Sequence, residues 1–132
     1  MDPVLIDTSV WIDFFNGKEN NQTNIIKDYL ENEHPLFICP LIIQEILQGI
    51  RDDNDYKEVK SNLFNLDILL LDPVESSIGA ADLYRMLRKK GITIKKSNDC
   101  MIAFYAIHFG IHLLHNDKDF DLIEENTKLK VM

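Results

Sequence analysis

The sequence predicts a single α/β domain built around a mainly parallel sheet of four to five strands. Short apolar runs alternate with longer segments of helical periodicity along the 132 residues, and this alternation is typical of βαβ units. The chain contains no internal repeat, low-complexity tract or linker. We therefore expect residues 1–132 to form one domain, which is long enough to bury a real core.

Five short apolar runs predict the strands, the last of them a short edge strand at the C-terminus. In chain order they cover residues 4–7, 36–38, 67–71, 111–114 and 129–132. A further short extended piece is expected at residues 92–94. Runs of this kind are typical of strands that lie inside a parallel α/β sheet.

The segments between the strands predict helices that end at recognisable signals. These helices cover residues 9–15, 24–32, 40–50, 56–62, 75–89 and 99–109. Pro40 suits the first turn of a helix, while Gly91 and Gly110 end the two longest ones. Residues 116–119 suit a turn after the fourth strand, and no helix is assigned beyond it.

Composition indicates an ordinary soluble globular protein, with 45% hydrophobic and 27% charged residues. No apolar run approaches the roughly 20 residues that span a bilayer, and the first residues lack the basic start of a secretory signal. We therefore expect a cytoplasmic protein with no membrane partner. Cys39 and Cys100 lie in apolar segments and are expected to be buried, reduced thiols.

The net charge of −8 argues against a simple electrostatic nucleic-acid binder, although it does not exclude a nuclease. A local basic cluster is an exception to this net negative charge. Six cationic residues lie within twelve positions: Arg85, Arg88, Lys89, Lys90, Lys95 and Lys96. Such a cluster attracts phosphate. A solvated helix end followed by a loop explains the same residues equally well.

Four acidic residues, Asp7, Glu45, Asp99 and Asp117, stand where predicted strands and helices meet. Each has a simpler explanation, because Asp caps helices, begins turns and favours a helix N-terminus, and a helical Glu is often exposed. In a parallel sheet, however, ligand sites form beyond the carboxyl ends of the strands. All four acids are therefore able to meet in one pocket.

A shared pocket of four carboxylates requires compensation. Two like charges about 4 Å apart repel by roughly 4 kcal/mol at an effective dielectric near 20. Burial increases that cost unless a cation is present. Oxygen ligands alone favour Mg²⁺ or Mn²⁺ over zinc, so the pattern predicts a divalent metal site.

The chain resembles PIN-domain ribonucleases, in particular the VapC-type toxins of toxin–antitoxin pairs. The resemblance spans essentially the whole chain, and the order and spacing of its motifs carry it. These motifs are DTSVWID at 7–13, EI at 45–46, RKKG at 88–91, NDCMIA at 98–103 and LLHNDKDF at 113–120.

The resemblance implies a three-layer α/β/α sandwich and a Mg²⁺- or Mn²⁺-dependent endoribonuclease, which uses metal-activated water to cleave RNA. Asp7, Glu45, Asp99 and Asp117 would form the acidic site. Asp7 and Asp99 would bind metal most directly, Asp117 would be a further ligand, and Glu45 and Asp117 would act partly through water.

Other positions follow from the same resemblance. Ser9, Asn116 and Asp119 would line the periphery of the site, and His115 is a departure, because many relatives carry Thr or Ser there. Relatives usually form homodimers and are silenced by a cognate antitoxin peptide. Independently of the resemblance, four residues of the basic cluster would hold the flanking RNA backbone: Arg85, Arg88, Lys95 and Lys96.

Three other functions remain compatible with an acidic pocket in a parallel α/β domain. A receiver-like phosphoacceptor domain would use Asp72, but the chain lacks its acidic pair after the first strand and a convincing late lysine. A phosphatase with an aspartyl nucleophile would require a second Asp where Ser9 stands. A catalytically silent PIN-like binding module is disfavoured by the presence of all four acids.

Overall fold

A five-stranded, all-parallel sheet forms the centre of the computed structural model, which describes residues 1–132. The strands are β1 (Val4–Ile6), β2 (Leu36–Ile38), β3 (Asp67–Ile68), β4 (His112–Leu114) and β5 (Lys130–Val131). They lie in the order β3-β2-β1-β4-β5, and every neighbouring pair is parallel. This sheet confirms the predicted α/β class and the C-terminal edge strand.

Seven helices surround the sheet: α1 (Thr8–Phe15), α2 (Asn21–Glu31), α3 (Pro40–Gln48), α4 (Asp53–Leu63), α5 (Pro73–Lys89), α6 (Asn98–Phe109) and α7 (Lys118–Asn126). Val4, Leu5 and Ile6 are all fully buried. Because successive residues of a strand face opposite sides of a sheet, both faces of β1 are covered. The result is the expected three-layer arrangement. No helix is both long and apolar enough to cross a membrane.

The helices start at capping side chains, which apolar periodicity does not reveal. Helix α2 begins three residues before its predicted start, because Asn20 and Thr23 form a reciprocal capping box. Asp52 and Asp72 likewise accept backbone hydrogen bonds and start α4 and α5 earlier than predicted.

Three further expectations are corrected. The third strand was predicted over residues 67–71 but ends at Ile68, and residues 92–94 join no strand, although Ile94 is buried in the core. The region after Asp117 is helix α7 and not only a turn. Phe120 and Ile123 from α7 are fully buried, so packing of these two side chains stabilises a helix in an otherwise polar segment.

Helices α5 and α6 pack closely against each other. A Cβ atom at Gly79 of α5 would overlap the ring of Phe104 on α6, so glycine permits the short distance between the two helices. Cys39 and Cys100, as predicted, are free and buried. The centre of the sheet and the beginning of α6 are therefore held by continuous packing.

Candidate metal centre

The fold brings the four predicted acids to one end of the sheet. Asp7 directly follows the central strand β1 and is the N-cap of α1, while Asp117 follows β4 and is the N-cap of α7. Asp99 lies in the first turn of α6, and Glu45 lies on α3, the helix after β2. Because β2 and β4 flank β1, the site forms at the point where the order of connection reverses.

Asp7 is a buried carboxyl group held by its neighbours on α1. Only 5% of the residue is exposed. Its Oδ2 accepts hydrogen bonds from Ser9 Oγ at 2.7 Å and from the Ser9 backbone N–H at 3.4 Å. Burial raises the pKa of Asp7, the bonds from Ser9 and Thr8 oppose this rise, and Glu45 adds to it. Ser9, predicted at the periphery, therefore contacts the central acid directly.

Asp99 is buried with less compensation. The residue is 6% exposed, and its Oδ2 atom is buried without a hydrogen-bond partner. The pKa of Asp99 is raised to about 7, chiefly by burial and then by the charges of Asp7, Asp117 and Glu45, against an opposing effect of Lys96. Asp99 therefore experiences the fields of all three other acids, which places the four in one electrostatic cluster.

Glu45 is oriented by a residue that the sequence analysis did not single out. Thr8 Oγ1 donates a hydrogen bond of 2.8 Å to Glu45 Oε1 and so joins the start of α1 to α3. The sequence feature that could have pointed to Thr8 as a site residue is its position between Asp7 and Ser9. Since only Oε1 is engaged, Oε2 is the oxygen left for a proton or a water molecule.

Asp117 and Asp119 have different roles at the start of α7. Asp117 Oδ1 accepts the backbone N–H of Asp119 at 2.9 Å, as expected of an N-cap. Asp119 Oδ2 instead accepts the backbone N–H of Lys95 at 3.1 Å. Asp119 thereby ties α7 to the loop that leads into α6. Asn116, also predicted near the site, is exposed between β4 and α7.

The chemistry of this cluster fits a hard divalent cation. None of the four acids forms an ion pair with Lys, Arg or His within 4.0 Å, and Oδ2 of Asp99 has no hydrogen-bond partner. No three acidic, His or Cys side chains already form a ligand set. Mg²⁺ suits such an open set, because it usually retains several water ligands.

The predicted basic cluster lies on the last turns of α5 and in the loop before α6. None of its six residues forms an ion pair, and Arg88 lies 5.7 Å from the centre of the Tyr84 ring. A cavity of about 340 Å³ between α5 and α6 is lined by Tyr84, Arg85 and Asn98, among others. Asn98 directly precedes Asp99 in the first turn of α6.

A larger groove of about 540 Å³ runs between α1, α3 and α4. Its apolar lining comprises Ile12, Phe15, Ile46, Ile50 and Val59. Its polar lining includes Arg51 and three acids, Asp52, Asp55 and Glu58. Ile46 directly follows Glu45 on α3. We call it the α1/α3/α4 groove.

Replacing Asp99 by Asn should stabilise the metal-free protein at about pH 8. The pKa of Asp99 is about 7 in the folded state against 3.8 as an ordinary value. The folded state therefore binds this proton more tightly, and its stability falls as the pH rises from about 4 to about 7. Asn avoids this loss, and we expect a gain of about 2 kcal/mol after allowing for solvent screening.

Urea unfolding of the two proteins across this pH range measures the effect. Asp67→Asn, at an exposed acid on β3, is the control and should change little. A gain that persists undiminished at low pH, or that equals the gain in the control, would contradict this assignment.

Comparison with known proteins agrees with these observations. The PIN domain family model matches residues 4–126. A VapC ribonuclease of Mycobacterium bovis and Ribonuclease VapC11 of Mycobacterium tuberculosis are each 34% identical over 128 residues, which cover 96% of this chain and 96% of each relative.

Solved structures show the same fold at lower identity. VapBC2 of Rickettsia felis, bound to a DNA fragment from its promoter, gives a TM-score of 0.77 at 19% identity, covering 98% of this chain and 96% of that one. DNA-bound VapBC of Salmonella typhimurium gives a TM-score of 0.77 at 18% identity, covering 100% of this chain and 98% of that one. The chain therefore belongs to the PIN-domain family, among the VapC ribonucleases.

Proposed function

We propose that this protein is a Mg²⁺- or Mn²⁺-dependent endoribonuclease and the toxin of a toxin–antitoxin pair. The observation that carries the proposal is the pair of buried carboxyl groups, Asp7 and Asp99, which interact electrostatically and form no ion pair with a cation of the protein. Its VapC relatives are named ribonucleases. We place the activity in the cytoplasm, where RNA is present and buried thiols stay reduced.

Asp7 and Asp99 would hold the metal most directly, with Asp117 as a further ligand and Glu45 acting through water. A divalent ion at this position supplies a Lewis acid, which lowers the pKa of water and offsets charge on the phosphate. No side-chain nucleophile is needed: water would attack phosphorus, the P–O bond to one ribose oxygen would break, and that oxygen would leave as a hydroxyl group after taking a proton from solvent.

The protein's own residues orient this reaction. Ser9 holds Asp7 Oδ2, and Thr8 holds Glu45 Oε1, so each carboxylate has one fixed oxygen. Glu45 Oε2 is then available to accept a proton from the attacking water. The arrangement favours hydrolysis, because the acids are fixed before the substrate arrives.

The unpaired basic cluster would bind the RNA backbone. Arg85 lines the cavity next to Asn98, and Lys96 is close enough to affect Asp99. In a protein of net charge −8, an isolated positive surface also orients RNA with its backbone towards the acidic cluster. Arg88 and Lys95 extend this surface along the flanking strand.

The other functions considered from the sequence are less well supported. Asp72, the candidate phosphoacceptor of a receiver domain, is the N-cap of α5 and accepts the Glu75 backbone N–H at 2.9 Å. It is therefore engaged in helix capping and lies on an element separate from the acidic cluster. A silent binding module would gain nothing from keeping Asp7 and Asp99 buried together.

The α1/α3/α4 groove is the surface that we propose for the antitoxin. Its apolar floor suits Leu, Ile or aromatic side chains, and its three acids suit Lys or Arg. Because Ile46 of the groove is the chain neighbour of Glu45, a bound peptide would lie near the acidic cluster. This position explains how one partner would both bind the toxin and silence it.

A second exposed surface would form the homodimer. Phe64, Leu70, Val74 and Ile78 are between 56% and 70% exposed, and they surround the edge strand β3 and the start of α5. Val74 and Ile78 are four residues apart and share one face of α5. We call this surface the β3/α5 face, and contiguous apolar surfaces of this kind mark protein interfaces.

Asp7→Asn and Asp99→Asn should each reduce RNA cleavage at least about 100-fold, because each removes a charged metal ligand. The assay uses a structured RNA with Mg²⁺ or Mn²⁺ and then with EDTA, which should abolish cleavage. Circular dichroism should show both variants folded, and Asp67→Asn should remain active. Metal-independent cleavage, stable labelling by a small phosphodonor, or an active Asp7→Asn variant would count against the proposal.

Replacing Arg85 and Arg88 together by Ala should raise the KM for RNA about tenfold and leave kcat within about threefold, because phosphate contacts chiefly contribute to binding. The salt dependence of KM should also become shallower. Lys27 and Lys128, which are exposed elsewhere, provide a control double substitution of equal charge. Equal effects of the two double variants would show that only net charge matters.

Ile12→Asp should weaken antitoxin binding about 100-fold, because it places a charge in the apolar floor of the groove. Leu122→Asp is a matched control, since Leu122 on α7 is 37% exposed and Ile12 is 39% exposed. Calorimetry with the small protein encoded beside this gene measures both affinities. Unchanged binding by Ile12→Asp would exclude the groove as the antitoxin site.

Val74→Glu combined with Ile78→Glu should convert a dimer into a monomer, since four buried charges at a symmetric interface are not compensated. Light scattering should give twice the chain mass of 15.4 kDa for the original protein and the mass of one chain for the variant. Leu30→Glu, at an exposed position on α2, should leave the dimer intact. A monomeric original protein would refute this interface.

A further inference from the structure

His115 lies directly after β4 and is anchored on both of its ring nitrogens. Its Nδ1 is 3.1 Å from the backbone nitrogen of Asp117, and its Nε2 is 3.4 Å from Oδ1 of Asp121. The ring centre lies 5.1 Å from that of the fully buried Phe120. Only 9% of the His115 side chain is exposed. The ring is thus fixed in position as well as packed.

These contacts define the hydrogen-bonding state of the ring. A backbone N–H can only donate, so Nδ1 of His115 must be the acceptor and carries no proton in this arrangement. The proton of the neutral imidazole then lies on Nε2, which faces the Asp121 carboxylate. The Asp117 N–H donates to no backbone carbonyl, so the imidazole is its acceptor.

The contact with His115 determines where the Asp117 carboxylate can lie. The backbone of Asp117 is held from one side by Nδ1, while its side-chain Oδ1 is held from the other side by the Asp119 N–H. Asp119 is in turn bound to the Lys95 backbone N–H. This chain of contacts leaves Asp117 Oδ2 as the oxygen available to the acidic cluster.

We propose that His115 is a positioning residue, which holds Asp117 at the metal centre by accepting its backbone N–H. The inference rests on the proposed function, because Asp117 matters only if the acidic cluster binds metal. His115 itself touches neither metal nor substrate in this account. It mimics the way in which Ser, Thr or Asn side chains accept the backbone N–H two residues ahead.

Simple packing against Phe120 is the competing explanation, and two substitutions separate it from positioning. His115→Phe keeps an aromatic ring next to Phe120 but removes the acceptor. His115→Asn loses the ring but restores an acceptor for an N–H two residues ahead. Positioning predicts that Asn performs better than Phe, whereas packing predicts the reverse order.

The first measurement uses the metal-free protein and needs no RNA. Amide hydrogen exchange should show the Asp117 N–H protected in the original protein and in His115→Asn. In His115→Phe the same amide should exchange at least about tenfold faster, while amides of the β1 core keep their protection. Unchanged exchange in His115→Phe would overturn the proposal, whether or not the protein proves to be a nuclease.

The second measurement follows the consequence at the metal site. His115→Phe should weaken Mn²⁺ binding about tenfold by calorimetry and lower kcat, with the KM for RNA unchanged within about twofold. His115→Asn should recover affinity and kcat to within about threefold of the original protein. His108→Phe, on the exposed last turn of α6, is the control and should behave as the original does.

Two results at this stage would also overturn the positioning role: full Mn²⁺ affinity in His115→Phe, or a His115→Asn variant that performs worse than His115→Phe. A third outcome is that the original protein binds Mn²⁺ and the variants follow the expected order of Mn²⁺ affinity, while no RNA is cleaved. That result would refute the nuclease and support the role of His115. The two failures are therefore distinguishable.

Discussion

Two buried carboxyl groups that interact electrostatically, those of Asp7 and Asp99, constrain everything else at the acidic end of the sheet. Neither is paired with a cation, and one oxygen of Asp99 has no hydrogen-bond partner. Two such charges repel by roughly 4 kcal/mol at about 4 Å and an effective dielectric near 20. This repulsion is unfavourable, and a divalent cation that relieves it would gain affinity.

The fold makes this energy tolerable through the helices that begin at the site. Asp7 caps α1, Asp117 caps α7, and Asp99 lies in the first turn of α6. Each N-terminus presents unpaired N–H groups and a partial positive charge, which favour a nearby carboxylate by about 0.3–1 kcal/mol. The sheet order places these three helix starts together. These partial charges reduce the repulsion without cancelling it, so the preference for a cation is preserved.

The acidic cluster was predictable from sequence because the governing rule is local. An acid after a buried strand of a parallel sheet points to the strand's carboxyl end, and this placed Asp7 and Asp117 correctly. Helix α7 was missed because its polar residues resemble a turn, and its helical form depends on the burial of Phe120 and Ile123. The shortened β3 reflects the same limit, since an edge strand depends on its partner more than on its own residues.

Contacts between distant segments could not be predicted from any sequence pattern. Asp119 was expected at the edge of the site, yet it binds the Lys95 backbone N–H, and Thr8 was not expected to orient Glu45. Both contacts join residues at least 24 positions apart. They depend on the final packing of helices, and they explain why residues near a catalytic centre often support the acids without binding metal themselves.

Anomalous X-ray diffraction from crystals soaked in Mn²⁺ would locate the metal. We expect one dominant anomalous peak between the carboxylates of Asp7 and Asp99, with Asp117 nearby and water completing the ligand set. The same soak of Asp99→Asn crystals should lose most of this peak. Peaks confined to exposed acids elsewhere, with Asp7 and Asp99 still unoccupied, would contradict the account.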